Sequence, residues 1–143
     1  MEEIFQHAVK LLRRRDYTAW QLRQKLTAKF GHVPDEVLQR LMEKRFLDDR
    51  RYAVNFVSKD AQKHRSRIRE ELLLAGIAEE IVDYAIQTRE WPSLRDVVKA
   101  RMNALHLHAP LHRREAARLF RALNRLGYQE DEIREELEQL HEQ

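Results

Sequence analysis

The chain has no cysteine, only three glycines and three prolines in 143 residues, and no long apolar run. Without cysteine there is no disulfide, no thiol nucleophile and no Cys-ligated zinc. That suits a reducing cytosol. The longest apolar stretch, Leu72 to Ala78, falls well short of the roughly 18 residues of a membrane span. Met1-Glu2-Glu3 lacks the basic start and apolar run of a signal peptide. The expectation is a protein made and kept in the cytoplasm, with no membrane contact. Gly-rich phosphate loops, nucleophile elbows and His-Glu-x-x-His strings are also missing. Neither catalysis nor a cofactor is therefore expected, and any nucleotide hydrolysis that the protein affects belongs to a partner.

What the chain does have is charge. Asp, Glu, Lys and Arg make up 36% of it, against a usual quarter. Long charged and aliphatic side chains lose little freedom in a helix, so this composition favours helix throughout. The net charge of +3 hides an uneven distribution. Over residues 129 to 143, seven acids (Glu130, Asp131, Glu132, Glu135, Glu136, Glu138 and Glu142) face one base, Arg134. The last helix is acidic and the body before it basic, which bears on partners rather than on fold.

The glycines punctuate the chain. Gly31, Gly76 and Gly127 each follow an amphipathic segment and precede another, where a residue free to take positive φ can close a helix. The preceding helices align on Leu22/Leu26, Ile68/Leu72 and Leu119/Leu123. The following ones align on Val37/Leu41, Ile81/Ala85 and Ile133/Leu137. A further helix fits ahead of each pair. The first runs from about Glu2 to Arg14 with Ile4, Phe5, Ala8, Leu11 and Leu12 on one face. The second starts at Asp48 as N-cap and carries Tyr52, Ala53, Phe56 and Val57. The third follows Pro92, placed in its first turn, and carries Leu94, Val97, Val98, Arg101 and Leu105. Pro34 and Pro110 also stand at helix starts, and Thr18 to Gln21 reads as a capping box. The expected fold is all-α: three tandem three-helix repeats over residues 1–46, 47–90 and 91–143, forming an elongated array with room to curve.

Several strings then become legible. The run from Ala8 to Leu26, with Leu11, Leu12, Arg14, Arg15, Tyr17, Thr18, Leu22 and Lys25, resembles the opening pattern of the RecX family, bacterial regulators of the recombinase RecA. Leu47-Asp48-Asp49-Arg50-Arg51-Tyr52-Ala53 is similar to that family's central signature. Arg67 to Leu72 with Gly76-Ile77, and Leu119 to Leu123 with Leu126-Gly127-Tyr128, resemble its later segments. The likeness covers nearly the whole chain in order. Gln21, Thr18 and His64 depart from the pattern, and His64 should stiffen the turn before the fifth helix. The resemblance implies a non-enzymatic regulator, in DNA recombination, repair and the SOS response, that binds the RecA filament on single-stranded DNA. It would limit filament extension, strand exchange and ATP hydrolysis, acting as a monomer that meets single-stranded DNA directly or through RecA. A general single-stranded nucleic-acid-binding module and a helical scaffold unrelated to DNA are the alternatives.

Two basic clusters are candidate contact surfaces. Arg114, Arg118, Arg121 and Arg125 are spaced 4, 3 and 4, which at about 100° per residue puts them in one stripe opposite Ala116, Leu119, Leu123 and Leu126. Guanidinium forks suit phosphate or carboxylate. The plainer reading is that they neutralise the acidic helix that follows. Lys59, Lys63, His64, Arg65, Arg67 and Arg69 form the second cluster, read either as solvated surface or as contacts to a DNA backbone or an acidic protein groove. Asp48 and Asp49 read as cap and first-turn acid rather than a metal pair, since neighbours on a helix diverge. His106, His108 and His112 flank Pro110 in a connection without regular ligand spacing. Trp20 and Trp91 read as core or inter-repeat packing residues rather than as platforms for bases.

Overall fold

The computed structural model describes residues 1–141; Glu142, counted above among the acids, lies outside them. Among these residues there are nine α-helices and no strand: α1 (Glu2–Arg14), α2 (Ala19–Phe30), α3 (Asp35–Glu43), α4 (Asp49–Lys59), α5 (Arg65–Leu74), α6 (Glu79–Ile86), α7 (Leu94–Leu105), α8 (Arg113–Arg125) and α9 (Glu130–His141). The repeat boundaries expected near residues 46 and 90 fall between helices. No helix of the described residues is long and apolar enough to cross a membrane.

The helices gather into two compact units. One comprises Met1–Lys59 and Arg69–Arg89, the other Asp60–Ile68 and Glu90–Gln143, so the division falls inside α5. In the first unit Phe5, Ala8 and Val9 of α1 meet Leu22 and Leu26 of α2, Val37, Leu38 and Leu41 of α3, and Leu47. These positions recur at helical spacing, so each helix turns one apolar stripe inward. Packing between α4 and α6 buries Ala53 and Val57 with Val82 and Ala85. The buried pair in α6 is Val82/Ala85 rather than the expected Ile81/Ala85; Ile81 is half-buried.

The α2 start is a two-way capping box. Gln21 N–H donates to Thr18 Oγ1 and Thr18 N–H to Gln21 Oε1, both at 3.1 Å. Thr18 itself is fully buried, and its hydroxyl donates to the Ala75 carbonyl at 2.6 Å, tying the α2 start to the α5–α6 turn. Trp20 remains 49% exposed and so is not a core residue; its Cβ and Cγ lie against Gly76 of the α5–α6 turn, which makes it a packing residue between the first two repeats. It precedes Leu22 by two positions, about 200° around the helix, and so stands away from the Leu22/Leu26 stripe.

The second unit packs α7, α8 and α9 around Val97, Val98, Met102, Leu119, Leu123, Ile133 and Leu137. Ser93, not Pro92, begins α7: its side chain accepts from Asp96 N–H at 3.1 Å, and the proline lies one residue ahead of that cap. A serine oxygen satisfies an unpaired first-turn N–H, which proline cannot do.

Candidate nucleic-acid and partner interface

The segment that precedes α5 is built into the second unit. His64 N–H donates to the Leu126 carbonyl at 2.8 Å, at the end of α8. The His64 ring meets the Tyr128 ring edge-on at 4.9 Å, and the Tyr128 hydroxyl donates to the Gln62 carbonyl at 3.2 Å. Asp60 Oδ1 accepts from Gln62 and Lys63 N–H, closing the turn. The histidine therefore fastens the start of α5 to the α8–α9 junction.

Burial lowers the pKa of His64 from its ordinary 6.5; nearby Arg65 adds to the fall and Glu132 opposes it. A histidine whose pKa falls on folding contributes stability above its unfolded value, and that contribution is lost as pH drops through the folded one. Acidification from pH 7 to pH 5 should thus loosen the second unit, and His64→Gln should flatten that part of the pH profile. Melting midpoints of both proteins across this range check it; identical slopes would count against the latch.

The α8 arginines are displayed as the spacing implies. Arg114, Arg118, Arg121 and Arg125 are all exposed, while Leu119 and Leu123 are buried. The acids of α9 do not neutralise them. Glu130 pairs with Arg134 at 3.4 Å and Glu136 with Arg95 at 3.8 Å. Among the described residues none of the four arginines has a carboxylate within ion-pairing distance. The second cluster divides. Arg69 lies in the first unit, 2.7 Å from Glu79 and 3.0 Å from Asp83, and so is engaged by α6. Lys63, Arg65 and Arg67 belong to the second unit. Arg67, Phe120, Arg121, Asn124 and Arg125 together line a depression of about 360 Å³. The structure thus brings Arg67 of the second cluster beside Arg121 and Arg125 of the first, more than 50 residues further along the chain.

The string from Leu47 to Ala53 is built into the first unit's architecture. Leu47 and Ala53 are core. Asp48 Oδ1 accepts from Arg51 N–H at 3.1 Å as the cap of α4. Asp49 Oδ1 accepts from Ala19 N–H at 2.9 Å, so this acid caps α2 as well as standing in the first turn of α4. The Arg51 guanidinium donates to the carbonyls of Arg45 and Phe46, at 3.2 and 3.5 Å. Arg45 there has φ 61°, in the left-handed region. Tyr52 stacks on Phe56 with ring centroids 6.1 Å apart. Nothing in the sequence pairs Asp49 with Ala19; only the assembled fold brings them together.

Burial raises the pKa of Asp49 above its ordinary 3.8, the Ala19 N–H partly offsets this, and the Asp48 charge adds to it. A carboxyl whose pKa rises on folding costs the fold stability as pH climbs through that window. Asp49→Asn keeps the acceptor and removes the charge, so it should be at least as stable as the parent at pH 7. Asp49→Ala loses the cap and should cost about 1 kcal/mol. Urea midpoints of the two variants separate charge from hydrogen bond; an asparagine as damaging as alanine would refute the assignment.

Two of the three histidines of the α7–α8 connection serve helix ends. His106 closes α7 with φ 56°, and His112 precedes α8, its N–H donating to Glu115 at 3.0 Å. Among the described residues no group of three or more His, Asp or Glu side chains is gathered in a way that could hold a metal.

No family model matches the chain. Individual proteins do. The regulatory protein RecX of Halorhodospira halophila is 33% identical over 138 residues, covering 93% of this chain and 85% of its own. RecX of Thermus thermophilus is 36% identical over 128 residues, covering 88% and 84%. In three dimensions the fold matches the crystal structure of RecX from Lactobacillus salivarius with a TM-score of 0.67, at 17% identity, over 97% of this chain and 95% of that one. A second RecX crystal structure matches with a TM-score of 0.64, at 19% identity, over 96% of this chain and 71% of the other. On sequence likeness across nearly its full length, the chain belongs to the RecX family of regulatory proteins.

Proposed function

We propose that this protein is a non-enzymatic, cytoplasmic regulator of the RecA recombinase, binding the RecA filament on single-stranded DNA and limiting its extension, ATP hydrolysis and strand exchange. Membership of the RecX family carries the reading. The arginines of α8 support it physically: a charged row with no ion-pair partner among the described residues suits an acidic protein surface or a phosphate backbone. A regulator of this kind binds and occludes, with no bond-making of its own. The chain acts as a monomer in this reading.

The test is filament growth. RecA assembled on single-stranded DNA with ATP, imaged by electron microscopy, should give markedly shorter filaments once the protein is present at equimolar amounts. Unchanged lengths would sink the proposal. The second reading, a general single-strand binder indifferent to RecA, is favoured by the same arginines. It requires full affinity for DNA in the absence of RecA and no effect on filaments beyond competition for the strand.

A further inference from the structure

We propose that Arg67, Phe120, Arg121, Asn124 and Arg125 form a subsite for one or two nucleotides of single-stranded DNA, with phosphate held by the guanidiniums and a base against the Phe120 ring. The proposal rests on the reading that this regulator meets single-stranded DNA, and adds that the protein touches the strand itself, at this place.

Three arginines line one depression of about 360 Å³. Like charges gathered in this way repel, and half-burial of Arg67 removes part of its hydration. Among the described residues no carboxylate offsets this. An arrangement with that cost is suited to an anion from outside.

Arg67 is also held there by backbone packing. A Cβ on Gly127 would lie 2.8 Å from Arg67 Cβ and 3.3 Å from His64 Cβ, so the α8–α9 junction admits the start of α5 only because position 127 has no side chain. Together with the His64–Leu126 hydrogen bond, this close approach delivers an arginine of α5 to the arginines of α8.

The rest of the lining decides between a strand and an acidic peptide. Phe120 supplies a ring, with the Arg134 guanidinium 5.8 Å from its centroid, and Asn124 an amide able to meet base or phosphate. Arginines around an aromatic platform are the means by which proteins hold single strands without reading sequence. A carboxylate-bearing peptide would need the arginines and leave the ring unused.

The experiment is fluorescence anisotropy of the full chain with labelled oligo-dT, with an abasic oligomer of the same length, and with poly-glutamate as competitor, all without RecA. Three variants are compared: Arg67→Gln/Arg121→Gln/Arg125→Gln, the exposed pair Arg121→Gln/Arg125→Gln, and Phe120→Leu, which keeps an apolar side chain against the second unit's core. The triple variant should weaken oligo-dT binding at least about tenfold and flatten the log–log salt dependence by roughly 0.7 for each phosphate that it no longer neutralises. The exposed pair should show a smaller change in the same direction while folding normally. Phe120→Leu should weaken oligo-dT at least about fivefold and leave the abasic oligomer unaffected.

Wild-type protein that does not bind oligo-dT, or arginine variants that bind as wild type, would overturn the proposal. Equal weakening of oligo-dT and abasic oligomer in Phe120→Leu would remove the base platform. Displacement by poly-glutamate as effective as by oligo-dT would assign the site to an acidic protein instead. RecA filament length in the same variants reads the regulatory function separately: oligo-dT binding with no effect on filaments would fail that function and leave this site standing.

Discussion

Gly76→Ala should cost the first unit about 2–5 kcal/mol. The left-handed conformation accounts for roughly 1–2 of this and overpacking for about 1–3. Gly76 has φ +85°, and a Cβ there would collide with Trp20 Cβ and Cγ. Neither partner can give way easily. The Thr18 hydroxyl holds the neighbouring Ala75 carbonyl at 2.6 Å, and Trp20 hangs on the first turn of α2 just behind that capped residue. The melting midpoint should fall by roughly 5–15 °C on the usual scale for a chain of this size. Thermal and urea unfolding of the variant check it, and an unchanged midpoint would mean that α2 does not rest on the α5–α6 turn.

Changing Arg114, Arg118, Arg121 and Arg125 together to glutamine should abolish most of the regulatory effect, with filament affinity falling on the order of 100-fold at low salt. Stability should barely move. All four side chains are exposed and unpaired among the described residues, and substitutions at such sites usually stay within about 0.5 kcal/mol each. The wild-type effect should itself weaken steeply with salt, and the variant should lose most of that dependence. Titration of filaments at two salt concentrations with both proteins measures this. Full regulation by the variant would move the binding surface off α8.

The helical plan is readable because its signals are local. Thr18 and Gln21 cap within four residues, Asp48 caps Arg51 three residues on, and the α8 arginines diverge from Leu119 and Leu123 by helical geometry alone. What periodicity does not report is which faces meet. The hydrogen bond from Ala19 to Asp49 spans thirty residues, and the meeting of Arg67 with Arg121 and Arg125 more than fifty. Both depend on how helices pack, and no run of residues encodes that.

The same limit explains the departures. Trp20 packs on the α5–α6 turn at Gly76 rather than in the core, and its place on α2 leaves it 49% exposed. Pro92 suits a first helical turn, but Ser93 takes the cap because its side chain can accept the Asp96 N–H. The two candidate clusters are separate in sequence. Arg69 proves to be tied to Glu79 and Asp83, while Arg67 joins the arginines of α8. Gly127 is recognisable as a helix stop, but its second role, leaving room for Arg67, is visible only in three dimensions.

The most direct measurement of the central claim is ATP hydrolysis by RecA on single-stranded DNA as this protein is titrated in. Hydrolysis should fall progressively and be strongly suppressed by equimolar protein, and the four-arginine variant should leave it nearly untouched. Hydrolysis unchanged at equimolar wild-type protein would contradict the account.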